Sequence, residues 1–433
     1  MKARFQAAKK KFQTKTITNI FWLFTDHVIR VGVGLYVSIL VMRYLGITQF
    51  GLLSFATAWV SLFSPFTTLG IASLVIRDVA SAPKNKEEVL GTAFWLQVAG
   101  GVVTLVLSTV ALILLRQGEQ TVLGLVVILS CAGLFQSFKT IDLWFQSQVE
   151  SKYSVVAKNI AFAVVALVKV VLVLNEAPIF AFAVTTLIEA ILGGLCLVIL
   201  YKRRGYSLRA WKWRTTIAKA LIREGWPLIL SGLAVNIYLR IDQIMLGEIV
   251  GAQAVGLYSA AIKISEQWYF LPTAIVSSVA PSIYAYAKSG DRDKYYQRLS
   301  QLLRVLALVS TAIALPMTFI SKGLVTLLFG DSYAAAGSIL SIHIWAALFV
   351  FTGVGTAPWF TSEGLTHLSF RRTLLGAISN IGLNLVLIPA YAGNGAAVAT
   401  VISYAISALL YSAIDKRTRK LFYIQIKSLF FLS

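Results

Sequence analysis

The chain has 433 residues, 58% hydrophobic and only 13% charged, with a mean hydropathy of +0.77. A soluble domain carries about 25% charged residues, so this composition excludes a water-soluble globular protein and calls for lipid as solvent. The net charge of +21 would suit nucleic acid by size alone, but its placement along the chain, taken up below, excludes that partner.

Read from the start, residues 1–16 form a basic N-terminus. Twelve apolar runs follow, each near the length a spanning helix needs, roughly 20 residues. They are predicted at 17–42, 50–75, 89–115, 121–147, 159–175 and 178–201. After a basic interval the rest follow at 226–248, 255–285, 305–321, 333–358, 373–390 and 395–414. None alternates with period two, so barrel strands are excluded and helices are expected. The first run is too long and too interrupted by charge for a cleaved leader. A tail, 415–433, closes the chain, apolar with Lys427 in it and expected on the inner leaflet.

Of the 39 Lys and Arg, only Arg43, Arg116 and Lys322 fall in predicted outside loops, and Arg30, Lys139, Lys169, Arg240 and Lys263 fall within spans. The rest gather in inside segments. That asymmetry predicts both termini in the cytoplasm of a multi-pass bacterial inner-membrane protein. The basic surplus is a topology signal and an attraction to anionic lipids; no nucleic acid is expected. The loops are too short for a folded hydrolase or polymerase domain, and no phosphate-binding Gly-x4-Gly-Lys loop is present.

The longest polar stretch, 202–224, divides the spans into bundles at 17–201 and 225–414. Trp211 and Trp213 among its bases fit either a solvated linker or a segment lying on headgroups. The halves repeat. Gly46, Gly51, Leu52, Ser54 and Ala56 match Gly251, Gly256, Leu257, Ser259 and Ala261 at an offset of 205. Trp144-Phe145-Gln146-Ser147 matches Trp359-Phe360-Thr361-Ser362 at 215. Six helices per half predict a parallel repeat around a central cavity. Prolines inside spans (Pro65, Pro227, Pro272, Pro281, Pro316 and Pro358) permit kinks.

Charge inside a span costs roughly 2.5–3.5 kcal/mol on insertion scales, so each such residue needs a partner, water or a function. Arg30 and Arg240 are the leading substrate-binding candidates, with Lys139 and Lys263 behind them. Asp26, Asp142, Glu189 and Asp242 are ion-coupling candidates, or partners for the cations. Spacing allows Asp26–Arg30, Lys139–Asp142 and Lys263–Glu266 to pair along one helix. His27 stands between a relay and a packing role. Cys131 and Cys196 read as buried thiols. No metal site or cofactor is expected, and proton or sodium coupling is left open.

Three motifs then carry a resemblance: Tyr44-Leu45-Gly46 with Phe50-Gly51-Leu52; Leu328-Phe329-Gly330-Asp331-Ser332-Tyr333; and Asn394-Gly395-Ala396-Ala397-Val398-Ala399-Thr400. In order and spacing the chain resembles the polysaccharide biosynthesis (oligosaccharide lipid flippase) family of the multidrug/oligosaccharidyl-lipid/polysaccharide exporter superfamily. The two further helices typical of that superfamily's lipid II flippases are not found. The resemblance implies an alternating-access fold with no enzymatic activity. Its implied substrate is an undecaprenyl-diphosphate-linked oligosaccharide. Membrane lipids and polysaccharide polymerase machinery are the candidate partners. Two rivals stay open: a cation-coupled multidrug exporter of the same superfamily, and a membrane sugar polymerase or glycosyltransferase.

Overall fold

The computed structural model describes side chains at residue 30 and over 32–116 and 118–429; Asp26 and His27 lie outside the described residues. The protein is an all-α, multi-pass membrane protein. Among the described residues, ten helical stretches are long and apolar enough to cross a membrane. Two of them, Gly32–Ser81 with 50 residues and Thr366–Ile414 with 49, are twice the length a crossing needs. The first is broken at Gly46 (φ 69°, ψ 175°) and turns again at Leu69 and Gly70 (φ 52° and 64°) before a short last helix, Ala72–Ser81; the second is broken at Ala392 (φ 47°). The ten stretches thus supply twelve crossings, as the hydropathy pattern predicts.

The motif glycines mark these breaks for a steric reason. Gly46, Gly251 (φ 112°, ψ 178°) and Gly330 (φ 94°, ψ 168°) all sit where one helix gives way to the next. That combination of positive φ and extended ψ is open essentially to glycine alone. Just before the third motif the helix breaks at Ala392, and a Cβ on Gly395 would lie 2.1 Å from the Leu387 carbonyl oxygen.

The packing is inverted relative to a soluble protein. Leu167, Phe319 and Val386 are about 70% exposed or more, at 69%, 79% and 70%, facing where lipid tails belong. Hydrogen bonds cross between helices inside: Thr67 donates to Thr104 (2.8 Å), Thr140 to Gln97 (3.1 Å), and Ser108 pairs with Ser130 (2.8 Å). Such side chains would be unsatisfied in hydrocarbon, so they hold helix neighbours together.

The chain forms two compact units. The first holds Met1–Leu45 with Trp59–Leu233, and the second holds Gly46–Ala58 with Ala234–Ser433. In the first, the polar interval after Arg203 is stitched to the start of the Lys86–Leu115 helix. The Lys212 N–H donates to the Glu87 carbonyl (3.2 Å), the Arg214 N–H to Thr92 Oγ1 (3.0 Å), and Arg214 pairs with Glu88. Gly91 makes room, since a Cβ there would meet the Lys212 backbone at 2.6 Å. Trp211 donates to the Tyr201 hydroxyl and rests edge-on against Phe94. Helix resumes at Thr215, eleven residues or about three turns before the apolar run begins, where Lys219, Arg223 and Glu224 keep the hydropathy low.

In the second unit, Tyr295, Leu303, Trp359 and Phe360 anchor the core. The tail forms the Arg419–Leu429 helix. It docks by burying Leu421 and by a hydrogen bond from Gln425 Nε2 to the Ala408 carbonyl (2.7 Å). Ala408 lies in a π-helical turn, Ile406–Leu410.

Candidate functional site

The first unit contains a pocket of about 430 Å³, within the size range of small-molecule sites. Its position follows from a broken helix. The Gln120–Phe135 helix ends in a 3-10 turn, Gln136–Phe138, before Lys139–Ser147 continues. The turn presents Gln136 and Lys139 to the pocket, while Phe138 packs against Gly194, where a Cβ would come within 3.1 Å. Small side chains (Ala132, Ala161, Ala190 and Gly193) leave the volume open.

Among the described residues, three cations line this pocket: Arg30, Lys139 and Lys158. Arg30 lies 4.0 Å from the Glu189 carboxylate and over the Phe162 ring at 5.2 Å. Lys139 Nζ donates to Gln136 Oε1 (3.4 Å). Lys158 Nζ donates to Asp142 Oδ2 at 2.6 Å, with Asp142 buried beneath it. The structure therefore brings Arg30, Lys139 and Glu189 together, and corrects the pairing expected for Asp142. That carboxylate takes Lys158 from the next helix, not Lys139 on its own, because the 3-10 turn ends where Lys139 begins and leaves its ammonium facing the pocket.

Lys158 is the lining cation that sequence reasoning missed, since it falls one position before a predicted span. Asp142 and Lys158 are sixteen positions apart and in contact, and so are Thr356 and Arg372 in the second unit, although at an offset of 214 these pairs stand one position off the 215 of the Trp-Phe match. Arg372 donates to Thr356 Oγ1 (2.8 Å) and to the Gly353 carbonyl (3.1 Å) and lies over Phe360. It thereby caps the C-terminal end of the Ala346–Gly355 helix, the end a cation stabilises.

In the second unit Arg240 lies 3.5 Å from Glu266, so the carboxylate expected beside Lys263 faces Arg240 as well. Lys263 is half-buried one turn before it. Asp242 points elsewhere. It is 3% exposed and accepts from the Tyr258 hydroxyl (2.8 Å), from Thr400 Oγ1 (2.6 Å) and from Asn384 Nδ2, which is also bonded to Asn380 Oδ1 (3.0 Å). Asn380 and Asn384 lie one helical turn apart on one face, so both reach the same point. All four partners are neutral and fully or nearly fully buried. The Asn384 carbonyl oxygen is buried with no hydrogen-bond donor. Oxygen-rich sites of this composition suit a proton or a hard cation.

Comparison with known proteins gives a consistent picture. The pattern of the family described as "Polysaccharide biosynthesis protein" matches residues 16–286, and that of the MatE family matches 227–386. The chain is 30% identical over 193 residues to the probable flippase AglR of Haloferax volcanii, covering 43% of this chain and 39% of that one. It is 26% identical over 282 residues to the teichuronic acid biosynthesis protein TuaB of Bacillus subtilis, covering 63% and 55%. The matches thus span about two-fifths to a little over half of those relatives' lengths. Among solved structures, the lipid II flippase MurJ in an inward closed conformation superposes with a TM-score of 0.73. Identity is 16%, and 96% of this chain and 91% of that one are covered, which is a likeness of fold.

Proposed function

Because the chain belongs to the polysaccharide biosynthesis family of the multidrug/oligosaccharidyl-lipid/polysaccharide exporter superfamily, we propose that it flips an undecaprenyl-diphosphate-linked oligosaccharide from the cytoplasmic to the outer leaflet of the bacterial inner membrane. The proposed mechanism is alternating access, with both termini in the cytoplasm. The observation that carries this reading is the cation-lined pocket within apolar helices. Arg30 and Lys139 face a space large enough for a phosphate group, and Arg240 and Lys263 are two of the cations in the second unit's spans.

The physics of such a cargo supports the assignment. A diphosphate is an anion, and moving one charge through 100 mV is worth about 2.3 kcal/mol, outward transfer being favoured when the inside is negative. The protein then has to lower the barrier to carrying phosphate and sugar through hydrocarbon. Guanidinium groups do so by bidentate hydrogen bonds to phosphate oxygens. Asp242 is the residue we assign to coupling: its carboxylate and the oxygens of Asn380, Asn384 and Thr400 offer a seat for a proton or sodium ion. A second reading, a cation-coupled multidrug exporter, draws on the same Asp242 site and on the MatE match over 227–386.

Reconstitution in vesicles with a fluorescent lipid-linked oligosaccharide tests the proposal. Movement between leaflets is expected for the native protein and loss of at least tenfold in rate for Arg30→Gln and for Arg240→Gln. Full transport by both variants would remove these residues from the mechanism. Drug efflux without oligosaccharide movement would select the second reading.

A further inference from the structure

We propose that Glu189 is a built-in stand-in for the cargo's charge: a carboxylate that balances the first-unit pocket while it is empty and that a diphosphate displaces from Arg30, with Lys158 as a further phosphate ligand. The inference rests on the functional reading above and deepens it, since it names what that pocket holds and what limits how tightly.

Among the described residues, two acids near the pocket are held differently. Asp142 is buried, at 7% side-chain exposure, and grips Lys158 at 2.6 Å, which fixes that ammonium at the pocket wall. Glu189 is 36% exposed and stands 4.0 Å from Arg30, at the outer limit of an ion pair. It lines the same pocket as Lys139 and Lys158. One loosely held carboxylate therefore stands among cations from three helices, with open volume beside it. An arriving diphosphate carries more negative charge and more acceptor oxygens than a single carboxylate, and competes for the same donors.

Displacement leaves Glu189 in the pocket wall facing an anion, and like charges at close range repel. The carboxylate thus weakens the loaded state. A carrier needs that, because cargo bound too tightly is not released.

Binding to the full-length protein in lipid nanodiscs tests this. Inorganic pyrophosphate serves as one probe and geranylgeranyl diphosphate as the other, so that free and lipid-borne diphosphate are separated. Glu189→Gln is expected to bind both about tenfold more tightly, and Lys158→Met about tenfold more weakly. Lys219→Gln, an exposed basic position of the same unit, is expected to bind as the native protein does. Glu189→Asp, one methylene shorter, keeps the test open should the glutamine variant not fold, with a smaller shift in the same direction. Unchanged or weaker binding in folded Glu189→Gln overturns the inference, as does unchanged binding in Lys158→Met. Either result can coexist with oligosaccharide flipping in vesicles, and diphosphate binding can persist without flipping, so the two proposals fail separately.

Discussion

Gly51 and Gly256 lie back to back within the second unit. A Cβ on Gly51 would stand 1.8 Å from the Ala252 carbonyl oxygen, and one on Gly256 would stand 2.1 Å from the Ile47 carbonyl oxygen. Each glycine thus faces the residue four positions before the other. With the offset of 205 between the halves, the two contacts are the same contact seen from its two sides.

Replacement of either glycine by alanine has no room to succeed. Overpacking a well-packed site costs typically 1–3 kcal/mol, and backbone atoms cannot rotate aside as a side chain can. Gly51→Ala and Gly256→Ala are each expected to lower stability by at least that much, read as the melting temperature of protein in nanodiscs. Gly32→Ala is the comparison. Nothing lies within 4 Å of its Cβ position, and alanine in a helix is favoured over glycine by about 1 kcal/mol. Equal melting temperatures for all three would show that the crossing yields.

The same steric logic explains what the sequence made legible. A backbone that only glycine can adopt, or an approach that only glycine allows, writes a glycine at a fixed place, so Gly46, Gly51, Gly251, Gly256 and Gly330 could be read as motifs. Twelve crossings were legible because lipid imposes a length. The partners of the buried charges were not. Lys158 meets Asp142, and Arg240 meets Glu266, by the packing of different helices, and nothing in the spacing of single residues encodes that. Asp242 was found as a charge within a span and Thr400 only as the end of a motif, but Tyr258, Asn380 and Asn384 carry no charge and gave no signal.

The Gly91 contact predicts how the basic interval is held. Gly91→Val would push the Lys212 backbone away, breaking the bonds to Glu87 and Thr92. Limited trypsin digestion of the variant is expected to cut after Lys212 and Arg214 at least ten times faster than in the native protein, equivalent to about 1.4 kcal/mol of lost docking. An unchanged digestion rate would mean that the segment is held by Trp211 and Tyr201 alone.

Asp142 and Lys158 are expected to be coupled. Removing one partner of a buried pair costs roughly 3–5 kcal/mol; Lys158 is 38% exposed, so Asp142→Asn should cost less, about 1–2 kcal/mol. Asp142→Asn combined with Lys158→Met should be more stable than the sum of the single changes implies, by about 1 kcal/mol. Additive losses in denaturant titrations would assign the two residues independent roles.

At Asp242 the expectation concerns gradients. Asp242→Asn keeps the volume and removes the charge. Transport driven by an imposed sodium or proton gradient is expected to fall at least tenfold, while movement of cargo down its own gradient persists. Retained gradient dependence would place coupling elsewhere.

The bond from Gln425 to the Ala408 carbonyl has a consequence for biosynthesis. The last crossing contains a widened turn, and the donor that serves it belongs to a residue translated seventeen positions later. That crossing can thus enter the bilayer before its hydrogen bonding is finished, and it reaches its final form only after the ribosome has delivered Gln425 and the tail has folded back.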